Sequence, residues 1–526
     1  MPETTAGGGA TPHAAPSPLA PAWLTLPADL NALEPKMWAH DAERGPDGQL
    51  AVGGLTVAEL KARFGTPLFV LSEPDFRARA RAFKDAFDSA FADICGGVDV
   101  YYAGKSFLCS SVAAWVAQEG LRLDTASGGE LAVAAKAGLP GELIGLHGNN
   151  KSDSEIARAL DMGVGRIIVD SLAELERVAR IAADRGTDTP GAGAGGGEAG
   201  TEAPRAKVML RLTPGVHAHT HEFIATAHED QKFGLSMAPG TASAGFEGEH
   251  GGTAASAAEE AVAAAVDHDS IELLGVHCHI GSQIFEPEGF ELAAVKLLEF
   301  IAQMRSAYGA GLPELDLGGG YGIAYLPGDA PRPPGEIAEA LAGVVRATCG
   351  RLGIAPPRIS IEPGRAIVGS TTFTLYEAGT VKDVVVDLPG GSADSGGAAA
   401  ETGATAVRRY VSVDGGMSDN ARPVLYDADY SVTLAGRASD APAQLSRVVG
   451  KHCESGDIVV RDAYLPDDVG AGDLLAVPGT GAYCWALSSN YNYLARPGVV
   501  AVSGGTARWI VRGETEEDLL SRDMGV

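Results

Sequence analysis

The chain has 526 residues, enough for two sizeable domains or one barrel with a second domain attached. Its formal net charge of -28 repels phosphate backbones and anionic lipid, so neither nucleic acid nor a membrane is expected as a partner. The six cysteines form no C-x-x-C pair, which points away from a disulfide framework and a cysteine metal site and toward a reducing compartment. The opening residues lack the basic and apolar regions of a signal peptide, and no apolar run is long enough to span a bilayer. A soluble, cytoplasmic protein is expected.

Residues 1–22 are rich in Pro, Ala and Thr and read as a disordered tail. Residues 23–64 hold a Gly-Gly-Leu-Thr-Val turn and strand, an entry segment expected to pack on a later β domain. From residue 65 short apolar strands alternate with helical patterns. The strands fall at 68–71, 98–102, 121–124, 143–147, 166–170, 207–212, 273–279, 314–317 and 358–361. Eight or nine such strands over about 300 residues predict an α/β fold, a (β/α)8 TIM barrel covering 65–370. Three patches rich in Gly, Ala, Ser and Glu, at 187–205, 239–265 and 389–405, read as surface insertions of little closure cost. Beyond 371 the helical rhythm stops. Runs at 373–386, 409–413, 430–434, 444–449, 473–477 and 507–511 predict a predominantly β domain over 371–526.

The candidate chemistry gathers at strand ends. Lys105 follows the run 98–102, where barrel enzymes place reacting groups, and burial there would favour the neutral amine of a Schiff-base nucleophile. His277-Cys278-His279-Ile280-Gly281-Ser282-Gln283 ends another strand, with an imidazole able to lie on an aromatic ring and a hydroxyl able to hold a phosphate. Asp316-Leu317-Gly318-Gly319-Gly320-Tyr321-Gly322 lets backbone N–H groups approach a phosphate. Ile361-Glu362-Pro363-Gly364-Arg365 offers a carboxylate for a pyridine nitrogen and an arginine for a phosphate or carboxylate. Singly, each has a plainer alternative: a surface lysine, a buried structural histidine, a tight turn, a surface ion pair. Together they meet the requirements of pyridoxal 5'-phosphate.

Here the chain resembles the barrel-fold pyridoxal-phosphate decarboxylases, and among them those acting on diaminopimelate. The motifs are Tyr-Tyr-Ala-Gly-Lys, His-Gly-Asn-Asn-Lys-Ser at 147–152, His-Ile-Gly-Ser-Gln, Gly-Gly-Gly-Tyr-Gly, Glu-Pro-Gly-Arg, Asp-Gly-Gly-Met, Cys-Glu-Ser-Gly-Asp at 453–457 and Gly-Ala-Tyr at 481–483. They follow the family's order from about residue 50 to about 505. The resemblance implies that Lys105 bonds the cofactor and His279 stacks on its ring. Ser282, Gly319 and the segment Glu362, Gly364, Arg365 would hold its phosphate and pyridine nitrogen. Arg365, Arg422 and Tyr426 would clamp the distal carboxylate of meso-diaminopimelate, Glu454 would meet its distal amine, and Tyr483 would touch cofactor and substrate. Cys453 would be the proton donor, supplied with Glu454 by the second subunit of a homodimer. The implied reaction yields L-lysine and CO2, the last step of lysine biosynthesis, with no metal. A sister decarboxylase of ornithine, lysine or arginine would need no clamp for a distal carboxylate, so Arg422, Tyr426 and Glu454 weigh against it. A non-catalytic pyridoxal-phosphate-binding regulator would be expected to lack Lys105 or Cys453. Departures from the family pattern are Ser106, where alanine is common, and the three insertions.

Overall fold

A computed structural model describes residues 16–187, 205–216, 231–249, 255–388 and 404–525. Eight strands form the barrel: Val98–Ala103, Arg122–Thr125, Ile144–Leu146, Arg166–Val169, Ala206–Thr213, Ile271–His277, Glu314–Asp316 and Arg358–Ile361. All neighbours are parallel, and Ile359 pairs with Val98 to close the ring. Most of these strands are buried along nearly their whole length, which explains why they read as apolar runs without alternation.

The helices outside the ring follow from local signals. Glu73–Cys95 starts at Ser72, whose hydroxyl accepts from the Asp75 N–H, with proline in its first turn, and ends at Gly96 in the left-handed region. Its buried face carries Phe76, Phe83, Phe87 and Phe91, spaced to share one side, and the last three stack in sequence. Phe87→Ala would cost about 3–5 kcal/mol of packing there.

The strand expected at 68–71 is present but does not belong to the barrel. Leu68–Ser72 pairs antiparallel with Thr372–Asp387 and parallel with Gly498–Ser503, inside the second sheet. An apolar run buried on both faces does not reveal which sheet it joins. The chain thus crosses the sheet domain, builds the barrel, and returns.

That sheet runs Ile458–Pro466, Ala443–Val449, Thr405–Val413, Thr372–Asp387, Leu68–Ser72, Gly498–Ser503, Thr506–Val511, with Leu474–Pro478 also on Thr372–Asp387. Ile458–Pro466 and Gly498–Ser503 were not foreseen. Met37, Trp38, Leu50, Val52 and Leu60 of the entry segment share one apolar core with Leu68, Phe373, Leu375, Ala476 and Val500.

The patch at 239–265 is not all loop. Ala257–Asp267 is a helix capped by Ser256, and Ala258, Ala261, Val262 and Ala265 are buried in the barrel's apolar core. Alanine runs look like filler by composition yet are the best helix formers. The expected insertions at 187–205 and 389–405 lie almost wholly outside the described residues. Of the expected disordered tail, residues 1–15 lie outside them too, whereas the Ser17 N–H donates to Tyr464 and Arg408 donates to the Leu19 carbonyl.

Candidate active site

Lys105, His279, Gly319 and Glu362 each stand just beyond the carboxyl end of a different barrel strand. Cavities of about 410 and 200 Å3 open at that end, and both are lined by Ala103, Lys105, His279 and Glu362. Lys105 sits in the single turn Gly104–Ser106 after its strand and is exposed there, not buried as expected.

Two glycines answer to close approach. A Cβ on Gly319 would stand 2.2 Å from the Glu362 carbonyl oxygen, and one on Gly364 would stand 2.9 Å from the Ala103 Cβ. The Gly319 N–H donates to His279 Nδ1 over 3.3 Å, which leaves the proton of the neutral ring on Nε2. Burial, with Lys105 and Arg211 nearby, pushes His279 well below the usual histidine range.

Glu362 is the hub of a buried polar group. Its Oε1 lies 3.0 Å from His277 Nε2 and 3.3 Å from His147 Nε2, and His147 Nε2 is also 3.2 Å from Asp124 Oδ1. Burial alone would raise the Glu362 carboxyl, but His147 and His277 hold it well below the usual range. Burial and Glu362 push Asp124 well above its usual value, and burial takes His147 down to about 4. In the adjoining barrel interior Arg166 donates to Ser360 and Asp316, and its guanidinium carbon lies 3.6 Å from the Tyr101 ring centroid.

The larger cavity has a cationic wall. Arg365 donates to Ser282 Oγ over 3.0 Å and to the Tyr325 hydroxyl, with the Tyr483 ring centroid 4.7 Å away. Arg422 donates to the Tyr430 hydroxyl over 2.5 Å, with the Tyr325 ring centroid 4.5 Å away. Both arginines are buried, and neither has an ion pair with a carboxylate among the described residues. Tyr426 lines the same cavity and is 39% exposed.

The structure therefore brings together Lys105, His279, Ser282, Gly319, Glu362, Gly364, Arg365, Arg422, Tyr426 and Tyr483. It does not bring Cys453 and Glu454 to them. Both are exposed, line neither cavity, and sit where the Cys453 N–H donates to Asn492 Oδ1 over 3.1 Å. Sequence reasoning missed Tyr325, Tyr430 and Asp124, and left His147 in a motif without a role. Asp124 at a strand end was the available signal.

Residues 74–369 match the family model described as the pyridoxal binding domain of pyridoxal-dependent decarboxylases, and residues 373–481 match their C-terminal sheet domain. The chain is 48% identical over 500 residues to the diaminopimelate decarboxylase of Mycobacterium tuberculosis, covering 94% of this chain and 99% of that one. It is 39% identical over 489 residues to the Bacillus subtilis diaminopimelate decarboxylase, with 93% and 98% covered. A solved diaminopimelate decarboxylase from M. jannaschii, in complex with L-lysine, superposes with a TM-score of 0.76 at 27% identity, covering 93% of this chain and 98% of that one. With both domains matched in order and relatives of this identity spanning nearly its whole length, the chain belongs to the pyridoxal-dependent decarboxylases.

Proposed function

We propose that the chain decarboxylates meso-2,6-diaminopimelate to L-lysine and CO2, the last step of lysine biosynthesis, with pyridoxal phosphate as cofactor. The observation that carries the substrate is the pair Arg365 and Arg422. Two buried guanidiniums share one cavity wall, held by hydroxyls and aromatic faces instead of carboxylates. A buried charge without its partner costs roughly 3–5 kcal/mol, so each calls for an anion. A cofactor phosphate and a distal substrate carboxylate supply two. Ornithine, lysine and arginine carry no distal carboxylate.

The residues fit the cofactor: a lysine amine stands in the cavity, Gly319 and Gly364 let the strand-end turns pack closely against Glu362 and Ala103, and Glu362 is a carboxyl held below its usual range, suited to a ring nitrogen. When bound, pyridoxal phosphate supplies an electron sink for the pair left behind as CO2 departs. Lys105 would attach it, His279 would lie on its ring, and Ser282, Gly319, Gly364 and Arg365 would hold its phosphate. Arg422, with Tyr426 and Tyr483, would orient the distal carboxylate. Cys453 Sγ would deliver a proton to the α-carbon, and Glu454 would accept the distal amine. Both would come from a second subunit, a reading supported by their exposure and by their absence from the lining of this chain's own cavities. The resulting homodimer would close the cavity to water. A free thiol acting as an acid suits the reducing cytoplasm.

The test is CO2 release from meso-diaminopimelate, ornithine, lysine and arginine side by side. Diaminopimelate should exceed the others by at least about 100-fold in kcat/KM. Comparable turnover of ornithine overturns the reading.

A further inference from the structure

We propose that His147 and His277 act together as positioning residues for Glu362, fixing the orientation and charge of its carboxylate for the ring nitrogen of the cofactor. The inference rests on the pyridoxal-phosphate reading above. Two imidazoles converge on one oxygen. His277 Nε2 and His147 Nε2 lie 3.0 and 3.3 Å from Glu362 Oε1, with the rings edge to face at 72° and their centroids 5.2 Å apart. Glu362 Oε1, His147 Nε2 and His277 Nε2 are buried with no hydrogen-bond partner among the described residues, so the two rings, arriving from different strand ends, confine the carboxylate by contact and are its nearest available donors. A donor or a positive charge beside the charged form lowers a carboxyl's proton affinity. A carboxylate that stays ionised leaves the proton to the ring nitrogen.

The support behind His147 is rigid. Its N–H donates to the Thr125 carbonyl over 2.7 Å. Buried Lys151 then pins the following turn, donating to the Gly148 and Ile168 carbonyls over 2.7 and 2.6 Å and to Glu174 over 2.9 Å. His277 is 1% exposed at the end of its strand. The titratable and charged groups facing the set are Asp124, Arg166 and Asp316 from neighbouring strands, with Lys105 and Arg211 on the cavity side. Their balance separates the two nearest carboxyls: burial and Glu362 raise Asp124, while the two histidines outweigh burial and lower Glu362. The two adjacent carboxyls are thus pushed in opposite directions.

The experiment uses holoenzyme without substrate and follows the bound cofactor's absorbance against pH, with cofactor content and circular dichroism measured separately. His147→Leu and His277→Leu should each move the titration midpoint by at least about one pH unit, a tenfold change in proton affinity. His147→Gln and His277→Gln, whose amide N–H reaches where Nε2–H was, should return it to within about 0.3 unit of wild type. A purely structural role would lower stability or cofactor content and leave the midpoint in place. An unmoved midpoint in both leucine variants overturns the proposal, as does an equal shift in leucine and glutamine variants. Should a leucine variant not fold, asparagine, which withdraws the donor by one bond, replaces it under the same criteria. A wild-type protein that binds no cofactor overturns the functional reading instead, so the two failures are distinct.

Discussion

The backbone N–H of Tyr483 donates to the carbonyl of Ser106 over 2.9 Å, joining the sheet domain to the turn that holds Lys105. Tyr483 makes this contact at a φ of 63°, a left-handed conformation that costs a non-glycine residue about 1–2 kcal/mol. What the conformation secures is the ring, which lies beside the Arg365 guanidinium. The barrel's cofactor end is thus completed by a residue from another domain.

Tyr483→Ala keeps the N–H and removes the aromatic face. A partly desolvated cation–π contact of about 1–2 kcal/mol predicts a roughly tenfold loss of cofactor affinity. Tyr483→Phe keeps the face and should stay within about threefold of wild type. Fluorescence titration of apo-protein with pyridoxal phosphate reads both. Equal affinities for the two variants would remove the ring from the account.

Arg422 lies against Tyr325 and Tyr430 on the cavity wall it shares with Arg365. Arg422→Met should leave cofactor content unchanged while kcat/KM for meso-diaminopimelate falls on the order of 100-fold or more, the loss of a 3–5 kcal/mol charge contact. Turnover barely altered would place the carboxylate clamp elsewhere and weaken the substrate assignment with it.

The strand ends of the barrel were legible in the sequence because each motif combines a local apolar run with the polar residue that follows it. Lys105, His279, Gly319 and Glu362 all belong to such pairs. Tyr325 and Tyr430 carried no such signal: one follows a barrel strand, the other lies in the sheet domain, and only the fold sets their rings 5.1 Å apart around Arg422. Leu68–Ser72 was legible as a strand but not as a member of the second sheet, since pairing partners hundreds of residues away leave no local trace. Ala257–Asp267 was hidden because its alanine-rich sequence has the composition of loop filler, although alanine is the best helix former.

His147, pushed down to about 4 chiefly by burial, stays neutral in the fold at pH values where the unfolded chain, near 6.5, would take up a proton. Between about 6.5 and about 4 the unfolded state therefore binds more protons, and stability rises with pH. The contribution is complete above about 6.5 and is lost as pH falls through about 4, a difference on the order of 3 kcal/mol. His279, depressed by burial and by Lys105, acts with the same sign. His147→Gln cannot bind that proton, so its urea midpoint should fall less than wild type's between pH values of about 7 and 4.5. Parallel pH dependences for the two proteins would show that His147 titrates normally in the fold.

The exposed Cys453 and Glu454 lead to the prediction that tests the shared site. An acid for the α-carbon must reach the cavity, yet Cys453 lines neither cavity of its own chain. A cysteine serving only as packing would be buried, as Cys109, Cys278, Cys349 and Cys484 are. Lys105→Ala and Cys453→Ala should each be inactive alone. Mixed in equal amounts under conditions that allow subunit exchange, about half the dimers become mixed. Each mixed dimer holds one site with both residues intact and one with neither, so about a quarter of the wild-type sites are rebuilt. CO2 release should return to about that fraction, at a rate set by exchange, which a tagged subunit measures independently. If exchange is complete and no activity returns, Lys105 and Cys453 serve one chain, and Cys453 must reach its own cavity by a movement of the 453–457 turn.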